Sequence, residues 1–180
     1  MPLWKHLSQT YNGGAFDTKV KVYAAGGYYS STGDGALDDG ALREEMQSYL
    51  DRGFRDVKMK IGGATVGEDA RRIANVLDIL PPGARLAVDA NGRFDLATAV
   101  AYGEMLKEVF AGEPAGRLMW YEEAGDPLDY GLQAALSERL PGLPFATGEN
   151  LFSAVDARNL LRHGGLNREP VKILQRTFVD

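Results

Sequence analysis

Asp56-Val57-Lys58-Met59-Lys60-Ile61-Gly62-Gly63 reads as a short strand that runs into paired glycines. Side chains alternate faces along a strand, so Lys58 and Lys60 share one face while Val57, Met59 and Ile61 share the other. Two ammonium groups held side by side at a strand end require anions nearby. Three candidates, Asp89, Glu122 and Glu149, each stand near the end of a later strand-like stretch. The expectation is that these five residues form one site.

The chain on either side of this strand alternates between two periods. Residues 1–12 have helical spacing at Leu3, Trp4 and Leu7, stopped by Gly13-Gly14. Residues 19–25 alternate as a strand, and residues 28–39 are rich in Gly, Ser and Asp, as a loop is. Helices are expected over 41–52, 68–80, 96–110, 128–140 and 153–162, with Asp95 and Ser153 as caps. Strands are expected over 84–89, 117–121 and 145–147, with a sixth at 171–174. Strand and helix thus alternate with a repeat of roughly 30 residues, which implies βαβ units, right-handed crossovers and a parallel sheet.

Two architectures have this pattern, a doubly wound sheet and a (β/α)8 barrel. No Gly-x-Gly-x-x-Gly opens a helix after the first strand, which weakens the nucleotide-binding sheet. A barrel brings the C-terminal ends of successive strands together on one face, where Lys58, Lys60, Asp89, Glu122 and Glu149 fall. A full barrel takes about 250 residues. The expected fold is therefore α/β, a partial TIM (β/α)8 barrel of five to six units. Residues 1–14 form a helix preceding the barrel, and residues 15–180 form the barrel domain.

The totals fit one globular domain with a real core: 180 residues, a formal net charge of -5 and 44% hydrophobic content. The acidic balance and the lack of a basic stripe argue against nucleic acid. There are no cysteines, which excludes disulfides and thiolate metal sites. No run of about 18 apolar residues suits a membrane span, and the N-terminus lacks a signal-peptide core, so a cytoplasmic location is expected.

Asp89, Glu122 and Glu149 are spaced by 33 residues (122 − 89) and 27 residues (149 − 122), each about one β/α unit. Three converging carboxylates without His or Cys suit a hard cation, Mg²⁺ above all. Glu123 is the alternative to Glu122, because adjacent strand residues point opposite ways. A lysine beside a dication and a second lysine loses proton affinity and becomes a base near neutral pH. Asn91 shares a face with Asp89 if the strand continues, and it reads equally as a ligand contact or as Asn-Gly turn chemistry. Asp126 and Asp129 read as a loop residue and a helix cap. Tyr23, Tyr28 and Tyr29 are pocket candidates, with Tyr23 better suited to the core. His6 and His163 read as solvated.

Lys58-x-Lys60, Val88-Asp89-Ala90-Asn91-Gly92, Trp120-Tyr121-Glu122-Glu123 and Ala146-Thr147-Gly148-Glu149-Asn150 together resemble the enolase superfamily, mandelate racemase-like branch. Tyr23 to Tyr29, Val57 to Ala64, Ala87 to Phe94 and Gly125 to Tyr130 are similar, more closely, to its D-tartrate dehydratase group. The likeness runs from about residue 2 to about residue 166. It implies Mg²⁺ held by Asp89, Glu122 and Glu149, with Lys60 as general base. Lys58 then tunes Lys60 and, with Asn91, contacts the substrate. The implied reaction removes the proton α to a carboxylate, forms an enediolate, loses the β-hydroxyl and ends in a 2-oxo acid, oxaloacetate in the case of tartrate.

The same resemblance implies a small hydroxy-acid substrate and, for full-length members, a homo-oligomer. It also implies a capping domain, of which only the last helix is expected here, over residues 2–10, and a later catalytic His that is expected to fall beyond residue 180. The tail over 171–180 departs from the pattern after a strand-like start. The expectation is an impaired dehydratase. The alternatives are an inactive metal-binding fragment that associates with itself or a complementary chain, another acid-sugar dehydratase or racemase of the superfamily, and, more weakly, a phosphate-binding α/β domain.

Overall fold

The computed structural model describes residues 1–32, 36–164 and 172–173. Strand and helix alternate as the periods imply: α1 (Leu3–Tyr11), β1 (Ala24–Gly26), α2 (Asp39–Asp51), β2 (Asp56–Lys60), α3 (Val66–Ile79) and β3 (Arg85–Asp89). Then follow α4 (Leu96–Val109), β4 (Leu118–Glu122), α5 (Tyr130–Arg139), β5 (Phe145–Thr147), α6 (Ala154–Arg162) and β6 (Lys172–Ile173). The sixth strand expected over 171–174 is thus met at Lys172–Ile173, and the remainder of the tail to residue 180 lies outside the described residues.

The six strands form one parallel sheet in the order β1-β2-β3-β4-β5-β6. A doubly wound sheet reverses its strand order partway and carries helices on both faces. Here the order runs straight through, and the core lies on one face. Leu42 and Met46 of α2, Ile73 and Val76 of α3, Leu106 of α4 and Leu136 of α5 pack on Val57, Met59, Leu86, Val88, Tyr121 and Phe145. The opposite face carries a smaller cluster of Ala87, Trp120 and Ala146, edged by Tyr23 and Met119. Among the described residues no helix is long and apolar enough to cross a membrane.

Caps set the helix starts. Asp38 accepts from the Ala41 N–H, Asp95 from Thr98 and Asp129 from Leu132. Thr65 with Glu68, and Ser153 with Asp156, form reciprocal capping boxes. Each such cap contributes about 1 kcal/mol. They start α2 and α3 two residues earlier than hydrophobic spacing alone suggests.

Two departures from the expected strands have physical causes. Residues 19–23 alternate in sequence, yet only Ala24–Gly26 pair, because β1 has a strand partner on one side only among the described residues. Val20 and Val22 are exposed. In β4 the register shifts: Leu86 pairs with Leu118, but Val88 pairs with Tyr121. One extra residue therefore sits in β4, a β-bulge. Leu118 packs on the helix side, while Met119 and Trp120 both turn to the other face. Tyr121 returns to the helix side and Glu122 faces away from it. Without the bulge, alternation would point Glu122 into the helices.

Gly27 ends β1 with φ 63, a left-handed turn, and a Cβ placed there would lie 2.5 Å from the Cβ of Met59. Gly27→Ala is expected to destabilise the fold by about 1–3 kcal/mol through strain and overpacking. Urea unfolding measures this, and an unchanged midpoint would show that the β1 end moves freely.

Candidate active site

The C-terminal ends of β2, β3 and β4 bring four charged side chains together on the face away from the helices. Register fixes this: Lys60 pairs with Asp89, and Asp89 with Glu122. The Lys58 Nζ donates to Asp89 Oδ2 at 2.9 Å and to Glu122 Oε1 and Oε2 at 2.9 and 2.8 Å. The Lys60 Nζ donates to Asp89 Oδ2 at 2.6 Å. The Asn91 N–H donates to Asp89 Oδ1 at 2.9 Å, and Trp120 Nε1–H to Glu122 Oε2 at 2.8 Å. Lys58, Asp89 and Glu122 are all buried. Two ammonium groups against two carboxylates leave the cluster near neutral, the condition under which buried ions are tolerated.

Burial and partners shift these groups in different directions. Burial works to lower Lys58, but the charge of Glu122 and the hydrogen bonds of Asp89 and Glu122 outweigh it and raise its pKa. The depression expected of a lysine beside a dication is a different condition from this one, in which Lys58 stands beside two carboxylates. Burial also pushes against the charged form of Asp89, yet the hydrogen bonds from Lys58 and Lys60 hold it below the ordinary aspartate value. Glu122 is pushed up, by burial first and then by the charge of Asp89.

Of the three expected metal ligands, Asp89 and Glu122 are brought together and Glu149 stands apart, exposed in the turn after β5. Among the described residues, no three acidic or imidazole side chains converge closely enough, as they stand, to hold a metal ion. The Lys58 ammonium lies between Asp89 and Glu122 and bonds both. The donor set still fits a hard cation in kind, since it is all carboxylate oxygen. Glu149 follows β5 closely enough for its charge to reach Tyr23 and Glu123.

Glu123 proves to be more than the spare of a pair. It is buried, has φ 41, and accepts from Asn150 Nδ2 at 3.0 and 3.2 Å. Burial, helped by the charges of Glu149, Asp89 and Glu122 and resisted by the Asn150 hydrogen bond, raises it to about 7. Asn91 is exposed with φ 51, beside Gly92 at φ 70, so its backbone follows the turn reading. Asp126 accepts from Leu128 N–H in its loop, and Asp129 caps α5. His6 and His163 are exposed.

The tyrosines divide. Tyr23 is half buried and packs on the smaller core cluster of Ala87, Trp120 and Ala146 on the site face. Its ring meets Trp120 edge-on at 5.3 Å and lies 5.7 Å from the Lys58 Nζ. Tyr28 is exposed, 5.8 Å from the Lys60 Nζ. Tyr29 turns the other way, to a buried pair that sequence reasoning missed, Asp69 and Arg72 on α3. A signal was present, because Asp69, Arg72, Ile73 and Val76 fall on one helical stripe, so two charges share the buried face.

Known proteins are similar to this chain in sequence and fold. Residues 41–169 match the family described as enolase C-terminal domain-like. The chain is 30% identical to arabinonate dehydratase of Saccharolobus solfataricus over 162 residues, 89% of this chain and 38% of that protein. A racemase from Streptomyces coelicolor, crystallised with bound magnesium, superposes with TM-score 0.71 at 31% identity, over 85% of this chain and 39% of that one. An L-talarate dehydratase from a Polaromonas species, complexed with Mg and L-glucarate, also gives TM-score 0.71, at 28% identity, over 85% of this chain and 39% of that one. The chain thus spans about two fifths of the length of these relatives.

Lys58→Met leaves two carboxylates facing each other, and in metal-free buffer it is expected to cost about 3–5 kcal/mol in chemical denaturation. A loss below about 1 kcal/mol would mean that water reaches both carboxylates in the folded state. Glu123 has a sign of its own. Its folded value of about 7 lies above the ordinary 4.5, so the folded state binds the extra proton. Its contribution to stability is therefore full below pH 4.5 and is lost as pH rises through 7. Glu123→Gln should flatten that fall in a thermal-unfolding series across this window, and an unchanged slope would refute the assignment.

Proposed function

The chain belongs to the enolase superfamily, and from that membership we propose that it carries the proton-abstracting half of an acid-sugar dehydratase site. Its sheet is read as a segment of a (β/α)8 barrel, a reading supported by the unreversed strand order and the one-sided helices. The observation that carries the functional reading is the buried cluster of Lys58, Lys60, Asp89 and Glu122 at the C-terminal ends of neighbouring strands.

In this reading Lys60 removes the proton α to the carboxylate of a hydroxy acid. It is the less buried of the two lysines and bonds one carboxylate where Lys58 bonds two. Lys58 stays protonated, because Glu122 and Asp89 favour its charged form, and it contacts the substrate carboxylate. Asn91 lies beside it at the rim. Asp89, Glu122 and Glu149 are the residues that would hold magnesium. A bound magnesium ion supplies charge stabilisation to the carboxylate as its α-proton departs. The Trp120 indole and the Asn91 amide fix the orientation of the two buried carboxylates.

Loss of a β-hydroxyl would complete a dehydration, of D-tartrate to oxaloacetate or of a related sugar acid. A second reading, an inactive metal-binding module that pairs with a complementary chain or with itself, is favoured by the exposed Leu3, Trp4 and Leu7 of α1 and the exposed Phe152.

Thermal unfolding of the chain with and without MgCl₂ tests the metal, and α-proton exchange in D₂O over a panel of sugar acids tests the base. Magnesium at 100 times its dissociation constant should add about 2.7 kcal/mol of stability. Asp89→Ala should lose that gain. Lys60→Ala should slow exchange by on the order of 10²–10⁴-fold. Exchange that persists in Lys60→Ala overturns the base. Magnesium stabilisation without any exchange by the parent chain favours the second reading.

A further inference from the structure

The ladder between β1 and β2 stops one rung short of Lys60. Ala24, Ala25 and Gly26 pair with Val57, Lys58 and Met59, so the next pair in register would be Gly27 with Lys60. Gly27 turns away instead. One side chain closes the gap. Arg72 Nη2 donates to the Gly27 carbonyl at 2.7 Å, and Nη1 to the Lys60 carbonyl at 3.0 Å. The guanidinium takes the place of the missing rung. It is 2% exposed, and the ring of Tyr29 lies 3.9 Å from its Cζ.

Asp69 holds this guanidinium and much else besides. It accepts from Arg72 Nη1 at 2.8 Å, from the Gly62 N–H at 2.7 Å, from the Tyr29 hydroxyl at 2.7 Å and from the Tyr102 hydroxyl at 2.9 Å. The network thus grips the chain at Lys60 and Gly62 on one strand end and at Gly27 and Tyr29 on the other. Between those last two stands Tyr28, whose ring faces the Lys60 ammonium.

We infer that Arg72, oriented by Asp69, is a positioning residue that sets the place of Lys60 and of the Tyr28 loop against it. A buried ion pair kept for charge balance alone would need only Asp69. Here two of the guanidinium bonds go to main-chain carbonyls of the two strand ends. A planar fork reaches both carbonyls at once, and a lysine ammonium cannot. The catalytic meaning rests on the reading of Lys60 as a base, but the placement itself does not.

Amide hydrogen exchange on the whole chain tests the placement without any substrate. Arg72→Lys keeps the charge beside Asp69 and loses the fork. It should lower protection at residues 27–30 and 61–63 by about 10-fold to 100-fold, the worth of one or two charge-assisted hydrogen bonds. Val57–Met59 and Leu86–Val88 should keep theirs. Leu77→Ala, a core truncation on the same helix, should lower protection evenly and spare no segment. An even loss in Arg72→Lys, or none, overturns the inference. Should that variant not fold, Tyr29→Phe removes one hydrogen bond to Asp69 and must show the same localised pattern, more weakly. Where α-proton exchange is measurable, Arg72→Lys should lower kcat with KM nearly unchanged. A localised exchange effect without that loss would retain the placement and reject Lys60 as the base.

Discussion

Lys58 keeps two carboxylates out of water at once, and the end of the sheet is built to make that possible. Each buried ion costs several kcal/mol in lost hydration, and attraction offsets this only with close contact and satisfied lone pairs. Close contact demands that β2, β3 and β4 hold their register. Satisfied lone pairs demand the Trp120 indole and the Asn91 amide. The same constraint recurs on the helix side of β2, where Asp69 and Arg72 are buried against each other. Lys60 stands between the two clusters, with its side chain in one and its carbonyl in the other. Neither cluster carries a large net charge, so each can stay dry.

The architecture converts a linear repeat into a common rim. Because each strand is added beside the last, successive strand ends arrive side by side, and residues one β/α unit apart in sequence become neighbours. The helices take the apolar face of β2 to β5, which leaves the polar alternates of β2, β3 and β4 to one another.

Much of this was legible in the residues, and the exceptions are instructive. Period alone separated strands from helices, and Asp95, Asp129 and Ser153 announced their caps. Whether Glu122 or Glu123 faces the site was not legible, because a bulge in β4 reverses the alternation and nothing in Leu118-Met119-Trp120 marks it. Residues 19–23 looked like strand and lack a ladder, since pairing depends on a neighbour that local sequence cannot reveal. Glu149 has the right spacing but lies in an exposed turn, beyond the point where strand geometry dictates direction. The upward shift of Lys58 reflects its nearest charges, which here are the anions Glu122 and Asp89. Asp69 and Arg72 were missed because charged residues on a helix are ordinarily solvated, although their stripe gave them away.

Asn91 and Glu123 both hold left-handed backbone without being glycine, and they are joined across the rim through the Gly92 N–H, which donates to the Glu123 carbonyl at 2.7 Å. Such residues store strain of about 1–3 kcal/mol each. The rim is therefore a place where this fold gives up robustness to hold a shape. A glycine at either position would remove that strain. Screening variants for heat resistance alone would drift toward glycine at such positions.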